Sequence, residues 1–209
     1  MAIIKQGILG GIQNKIGNVV GTSWKGISVI KSLPVSVANP KTAAQVAQRD
    51  RFTAAVKFAS EILGTVIKPL WDRFSQRQSG YNAFVSANIA NFEGVILETS
   101  ENLIISRGKM AATPMSDAEV RKEGGIVTIT WVDDSGQGFK QATDLAYAVA
   151  YNRATAEATG TGGTVTRADG TISFVMNGDP IDGVDLYLAF RRADGTIVSD
   201  TSYQEVFAD

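Results

Sequence analysis

The chain has 209 residues, 44% of them hydrophobic and 20% charged, which is enough for one large domain or two to three small ones with sizeable cores. It contains no cysteine and no histidine. That removes disulfides, thiolate nucleophiles, soft metal sites and the commonest general base near neutral pH. An enzyme built from this composition would have to work with carboxylates, Lys, Tyr or Ser, so the expectation is that the chain is not an enzyme. The net charge of −1 hides a division. Residues 1–78 carry eleven Lys/Arg against three acidic residues, a net +8, and the remainder carries nine against eighteen, a net −9. The two halves are therefore expected to face different partners: an anionic partner for the front half, or copies packed basic end to acidic end.

No apolar run reaches the roughly 18–20 residues that a membrane-spanning helix needs. The first twenty residues, MAIIKQGILGGIQNKIGNVV, are interrupted by Lys5, Gln6, Asn14 and Lys15, which speaks against a secretory signal. No membrane span is expected, and the location expected is a virion or the cytoplasm.

In chain order, residues 1–38 read as a Gly-rich extended segment with a β-hairpin whose turn is Lys25-Gly26. Its glycines do not form a phosphate loop. Lys15 stands between Asn14 and Ile16, and β-forming residues follow where a helix would have to start. They read as bends or close backbone approaches, in a segment that needs another surface to lie against.

Residues 39–92 read as helical. Pro40 and the Thr42-x-x-Gln45 capping box mark a helix start, and Phe52, Val56, Ala59 and Leu63 form its expected apolar stripe. A second stripe, Val66, Ile67, Leu70, Trp71 and Phe74, continues past Pro69 in the first turn of a new helix. A third runs through Tyr81, Phe84, Val85, Asn88, Ile89 and Phe92.

From residue 93 the period becomes two, with Val127/Ile129/Trp131, Leu145/Tyr147/Val149/Tyr151, Ile172/Phe174/Met176 and Val184/Leu186/Leu188/Phe190 each lining one side of a short strand. The hexapeptide RADGTI occurs at 167–172 and again at 192–197, and reads as two hairpin turns. The fold class expected is α+β: a Gly-rich N-terminal β-hairpin region (1–38), a helical segment (39–92) and a C-terminal all-β immunoglobulin-like sandwich (93–209).

No catalytic, cofactor or metal site is marked by motif. GDPIDGVD, with Asp179, Asp182 and Asp185, lacks the alternating ligands and closing Glu of an EF-hand loop and reads as a solvated loop. Asp133, Asp134 and Asp144 could flank a gap, as in a carboxylate-based glycan hydrolase, if the fold brings them together. The residues that can make an interaction surface are Lys15, Trp24, Lys25, Lys31, Lys41, Arg49 and Arg51. Two partner classes fit them: other protein subunits, in a homo-oligomer or larger assembly, and a nucleic acid gripped at its phosphates, with Trp24 stacking on a base or sugar.

The segments IIKQGILGG, GNVVGTSWKGI, IKSLP, NPKTAAQ, YNAFVSAN, LIISRG, TITWVDD and LYLAF together resemble an uncharacterised family of Bacteroidota proteins over nearly the whole chain. The front half is similar to phage virion components, through residues 21–26, 39–45 and 81–88. That likeness implies a short strand region, an Asn-Pro-x-Thr-x-x-Gln helix start, an aromatic-rich helix and a terminal immunoglobulin-like domain. The tail is similar to fibronectin type III domains, with Trp131 ending an inward-facing strand. Tyr187 departs from that pattern, being out of phase with Val184, Leu186, Leu188 and Phe190. The front-half likeness implies a structural component of a particle.

Overall fold

The computed structural model describes residues 3–4, 11–24, 27–33, 41–178, 180 and 183–207. They divide into two units, Met1–Lys41 and Thr42–Asp209.

The first unit is an antiparallel meander of β1 (Ile3–Ile4), β2 (Ile12–Ile16), β3 (Val19–Trp24) and β4 (Ile27–Ser32). Gly17 turns β2 into β3 at φ +55°, the positive value a type II′ turn needs at its first central residue. Asn14, at φ +74°, bends β2, and the residues before it pass across β3. That crossing exists because Gly21 has no side chain: a Cβ there would run into the Ile12 carbonyl. Gly11 meets the Ser28 hydroxyl in the same way. Bends and close approaches are thus what Gly11, Gly17 and Gly21 provide. Gly7, Gly10 and the Lys25-Gly26 turn lie outside the described residues, although Trp24 pairs with Ile27 on either side of that turn.

The second unit begins with α1 (Ala43–Glu61), opened by the expected capping box: Thr42 Oγ1 accepts from Gln45 N, and Gln45 Oε1 accepts from Thr42 N. Residues 43–49 of the helix are exposed on every side, and its core contact starts at Ala54. The buried line is Ala55, Phe58, Ala59 and Ile62, one residue out of phase with the expected stripe. Phe52 is 51% exposed, and Val56 and Leu63 are only half-buried. A π-helical turn, Leu63–Ile67, then resets the phase, so that Val66, Ile67 and Leu70 continue on the same side into α2 (Lys68–Trp71). Pro69 occupies the first turn of α2, as its sequence position predicts. Helix α3 (Gly80–Asn88), capped by the Ser79 hydroxyl, buries Phe84, Val85 and Asn88.

Past a two-residue-per-strand hairpin, β5 (Phe92–Glu93) and β6 (Ile96–Leu97), the chain forms two antiparallel sheets. One holds β7 (Met115–Val120), β8 (Ile126–Trp131) and β11 (Thr171–Val175) in the order β11-β8-β7. The other holds β9 (Leu145–Asn152), β10 (Glu157–Thr166), β12 (Gly183–Arg191) and β13 (Ser202–Phe207) in the order β10-β9-β12-β13. The unit is therefore α+β and three layers thick. The four-stranded sheet lies in the middle, and its inner strands β9 and β12 are buried on both faces.

Period two sorts its side chains. Tyr147, Val149, Tyr151, Tyr187 and Ala189 face the helices and pack with Phe58, Ile62 and Phe84. Ala146, Ala148, Ala150, Val184, Leu186, Leu188 and Phe190 face the second sheet and meet Val127, Ile129 and Trp131. The alanines of β9 thus line the interface between the sheets, and its bulky residues serve the helices. Tyr187 is out of phase because it belongs to the helix-side core, where its hydroxyl donates to Ser100 O at 2.9 Å.

The repeated RADGTI does not make two hairpins. The copy at 192–197 does close one, with Arg192 N donating to Ile197 O at 2.9 Å. The copy at 167–172 instead carries the chain from β10 to β11, strands of different sheets. Both copies place Gly at positive φ, +71° at Gly170 and +70° at Gly195. The local bend is shared, and the surrounding packing decides where the chain goes next.

Candidate functional site

Sheet register brings two of the candidate residues together. Lys15 and Lys31 both stand opposite Val20, so the three form one cross-strand row on one face of the N-terminal sheet. Trp24 lies further along β3, opposite Ile27. Its side chain and all of Lys25 lie outside the described residues. Lys41 is exposed at the end of the first unit. Arg49 is exposed and Arg51 half-buried on the early part of α1, in the second unit.

Apolar side chains interleave with the lysines of the sheet. Ile27 is 61% exposed and Ile30 58%, and Ile16, Val19 and Val29 are exposed as well. Among the described residues of this unit, Gly21 is the one that reaches full burial. A sheet of short strands without a covered apolar face is at best marginally stable in water. Covering the exposed part of Ile27 and Ile30 would supply about 1–2 kcal/mol each. Gly21→Val is expected to unpair β2 from β3, because the new side chain would occupy the position of the Ile12 carbonyl. Amide exchange should show loss of protection at residues 12–16 and 19–24 with no change in the melting of residues 42–209. Retained protection would contradict the crossing.

The carboxylates expected to flank a gap do converge, but on a cation. Arg167 is wholly buried, and its Nε lies 3.2 Å from Asp144 Oδ2, itself wholly buried. Its Nη1 donates to Asp134 and to Thr113. Lys140 closes the group by donating to Asp134 and to Ala112 O at 3.1 Å. The guanidinium lies 3.9 Å from the Phe190 ring centre, and Trp131 Nε1 donates to Arg167 O at 2.8 Å. Burial works to raise the Asp134 pKa, but the Lys140 hydrogen bond, the Arg167 charge and the Thr113 hydroxyl outweigh it and hold the carboxyl below its ordinary range. Two acids and two bases pair here and brace the crossover from β10 to β11, with Asp144 Oδ1 left buried and unpaired. Asp133 turns away to bind Ser135 N at 2.9 Å.

Asp185 overturns its expected place in a solvated loop. It lies inside β12, wholly buried, and takes a two-pronged contact from Arg153 at 2.8 and 2.6 Å. Tyr203 and Ser100 donate to it at 2.8 and 2.7 Å. Burial and the neighbouring Asp185 carboxylate raise the Tyr187 and Tyr203 phenols well above their ordinary range. The other two acids of that motif, Asp179 and Asp182, lie outside the described residues. The sequence carried one signal for this cluster, an acid set between Val184 and Leu186 in a strand otherwise apolar.

Among the clefts on the second unit, two differ sharply in lining. A polar one of about 420 Å³ is lined by Leu103, Ser106, Arg107, Asp200, Thr201 and Tyr203. An apolar one of about 330 Å³ is lined by Phe74, Lys109, Phe139, Ile197 and Val198. Among the described residues no three acidic side chains gather as a metal site, and no helix is long and apolar enough to cross a membrane.

An α+β chain of an N-terminal antiparallel meander followed by a unit of helices and antiparallel sheets is the class of protein these features define. By the match of residues 10–205 to its family model, the chain belongs to the family of unknown function DUF6266. A comparison with curated proteins found no match.

Proposed function

We propose that this chain is a non-enzymatic assembly protein, a component of a Bacteroidota phage virion or of a prophage-derived particle, and that it makes its subunit contacts through its N-terminal half. The observation that carries this reading is the first unit itself: four paired strands on which Ile16, Val19, Ile27, Val29 and Ile30 are exposed beside the exposed Lys15 and Lys31. Such a surface gains stability by being covered, and strand-rich segments join subunits through backbone hydrogen bonds with alternate side chains giving specificity.

The seven strands of the two larger sheets in the second unit serve as the body that the first unit attaches. We read them as an immunoglobulin-like sandwich of the fibronectin III kind. The strand order β11-β8-β7 facing β10-β9-β12-β13 supports this, because the chain changes sheets after β8, β10 and β11 as a Greek-key sandwich requires.

Deleting residues 1–30 is the test. Particles purified after induction of the source strain are expected to lack the shortened chain, while the remainder, expressed alone, keeps a cooperative melt. Incorporation at the level of the full chain would refute the reading.

A further inference from the structure

Resting on the reading that residues 1–41 make the subunit contacts, we infer that their partner is a second copy of this chain, whose β5–β6 hairpin seats on the face bearing Lys15, Val20 and Lys31. Charge is the first reason. Residues 1–41 hold five lysines and no acidic residue, whereas residues 42–209 hold fifteen basic and twenty-one acidic residues, a net −6. Lys15 and Lys31 are exposed, and neither side chain makes a hydrogen bond or ion pair among the described residues.

The register is the second reason. On the same face as the lysine row, Thr22 pairs with Val29 and Trp24 with Ile27, so cations border an aliphatic strip. The other face carries the Gly21 position, over which the Ile12 backbone passes, and its exposed Ile16, Val19 and Ile30 have no lysine among them.

The hairpin has the complementary pattern. Residues 93–101 contain Glu93, Glu98 and Glu101 and no basic side chain. At its tip Val95 is 68% exposed and Ile96, paired with Glu93, is 44% exposed. The side chains of the three glutamates are exposed and make no hydrogen bond or ion pair among the described residues. An aliphatic tip bordered by carboxylates thus matches an aliphatic strip bordered by ammonium groups. A nucleic acid would satisfy the lysines but gain nothing from Ile27 and Val29.

Size sets the strength. Three strands side by side and six residues long present roughly 300 Å², far below the about 800 Å² per partner of a standard interface. One contact is weak. Each copy offers one face and one hairpin, so the contact is head to tail and propagates into a ring or filament, which multiplies it.

Sedimentation velocity of the full chain from roughly 1 to 300 µM, the range that brackets weak contacts, is the test. At low salt the weight-average coefficient is expected to climb with concentration, and the climb to vanish near about 1 M salt, where charges are screened beyond about 3 Å. Lys15→Glu/Lys31→Glu and Glu93→Lys/Glu98→Lys should each stay monomeric, and an equimolar mixture of the two should recover association, because every contact then pairs opposite charges. A wild-type chain that stays monomeric throughout, a mixture that fails to recover, or binding of a DNA or RNA duplex without self-association would each overturn the inference. If the wild type is monomeric yet deletion of residues 1–30 still abolishes incorporation into particles, the second-copy inference falls and the assembly reading stands. If the deletion is incorporated normally, the assembly reading itself falls.

Discussion

Arg167→Leu is expected to destabilise the second unit by about 3–5 kcal/mol, the cost of removing one partner of a buried ion pair and leaving the other without its counter-charge. The stranded group is Asp144, which has no exposed surface, with Asp134 beside it keeping Lys140 and the Thr113 hydroxyl. The same change also deletes the packing of the guanidinium on Phe190. Urea unfolding followed by circular dichroism measures the loss. Adding Asp144→Asn to Arg167→Leu should recover part of it, since a neutral amide is cheaper to bury than an unpaired carboxylate. A loss below about 1 kcal/mol would mean that the crossover does not depend on this ion group.

The pH dependence has a definite sign. Asp134 is held below its ordinary range in the folded chain, so its contribution is fully present above the unfolded value of about 3.9 and is lost as the pH falls through the lower folded value. Arg167→Leu, which removes one of the charges holding that carboxyl down, should move the acid unfolding midpoint upward.

Phe84→Ala is expected to cost about 3–5 kcal/mol by a different route, a cavity in the layer between helices and sheet. The ring is wholly buried, stacked on Phe58 with centres 6.0 Å apart and edge-on to Trp71 at 5.7 Å. Phe58 in turn touches Tyr151 of the middle sheet at 5.6 Å. The helical signal at 222 nm and the aromatic near-ultraviolet signal should therefore fall together in one transition, shifted to lower urea. Separate transitions would show that the helices fold apart from the strands, contrary to their shared core.

What was legible in the sequence was whatever a short window fixes. Thr42 and Gln45 cap a helix within three residues, Pro69 marks a first turn, and Val127, Ile129 and Trp131 alternate on a strand with one buried face. What was not legible depends on partners far along the chain. The apolar residues of α1 spread round much of the helix, and the middle sheet, some ninety residues on, selects the line through Ala55, Phe58 and Ile62. The two faces of β9 and β12 are both core, so alternation could not say which set meets which layer. Asp185 and Arg167 look like surface charges until Arg153, Tyr203, Asp134 and Asp144 are folded round them.

The candidate surface was legible in part for the same reason. Lys15 and Lys31 were visible as basic residues in a strand-forming segment, and only the pairing of both with Val20 makes them one row. The glutamates of the β5–β6 hairpin carried no motif at all.

The most direct measurement is the copy number of the full chain in purified particles, by quantitative mass spectrometry against the most abundant particle protein. A fixed, multi-copy ratio is the result expected of a subunit whose leading sheet is completed by its neighbours. Absence from every particle, with the chain recovered as a free monomer, would contradict it.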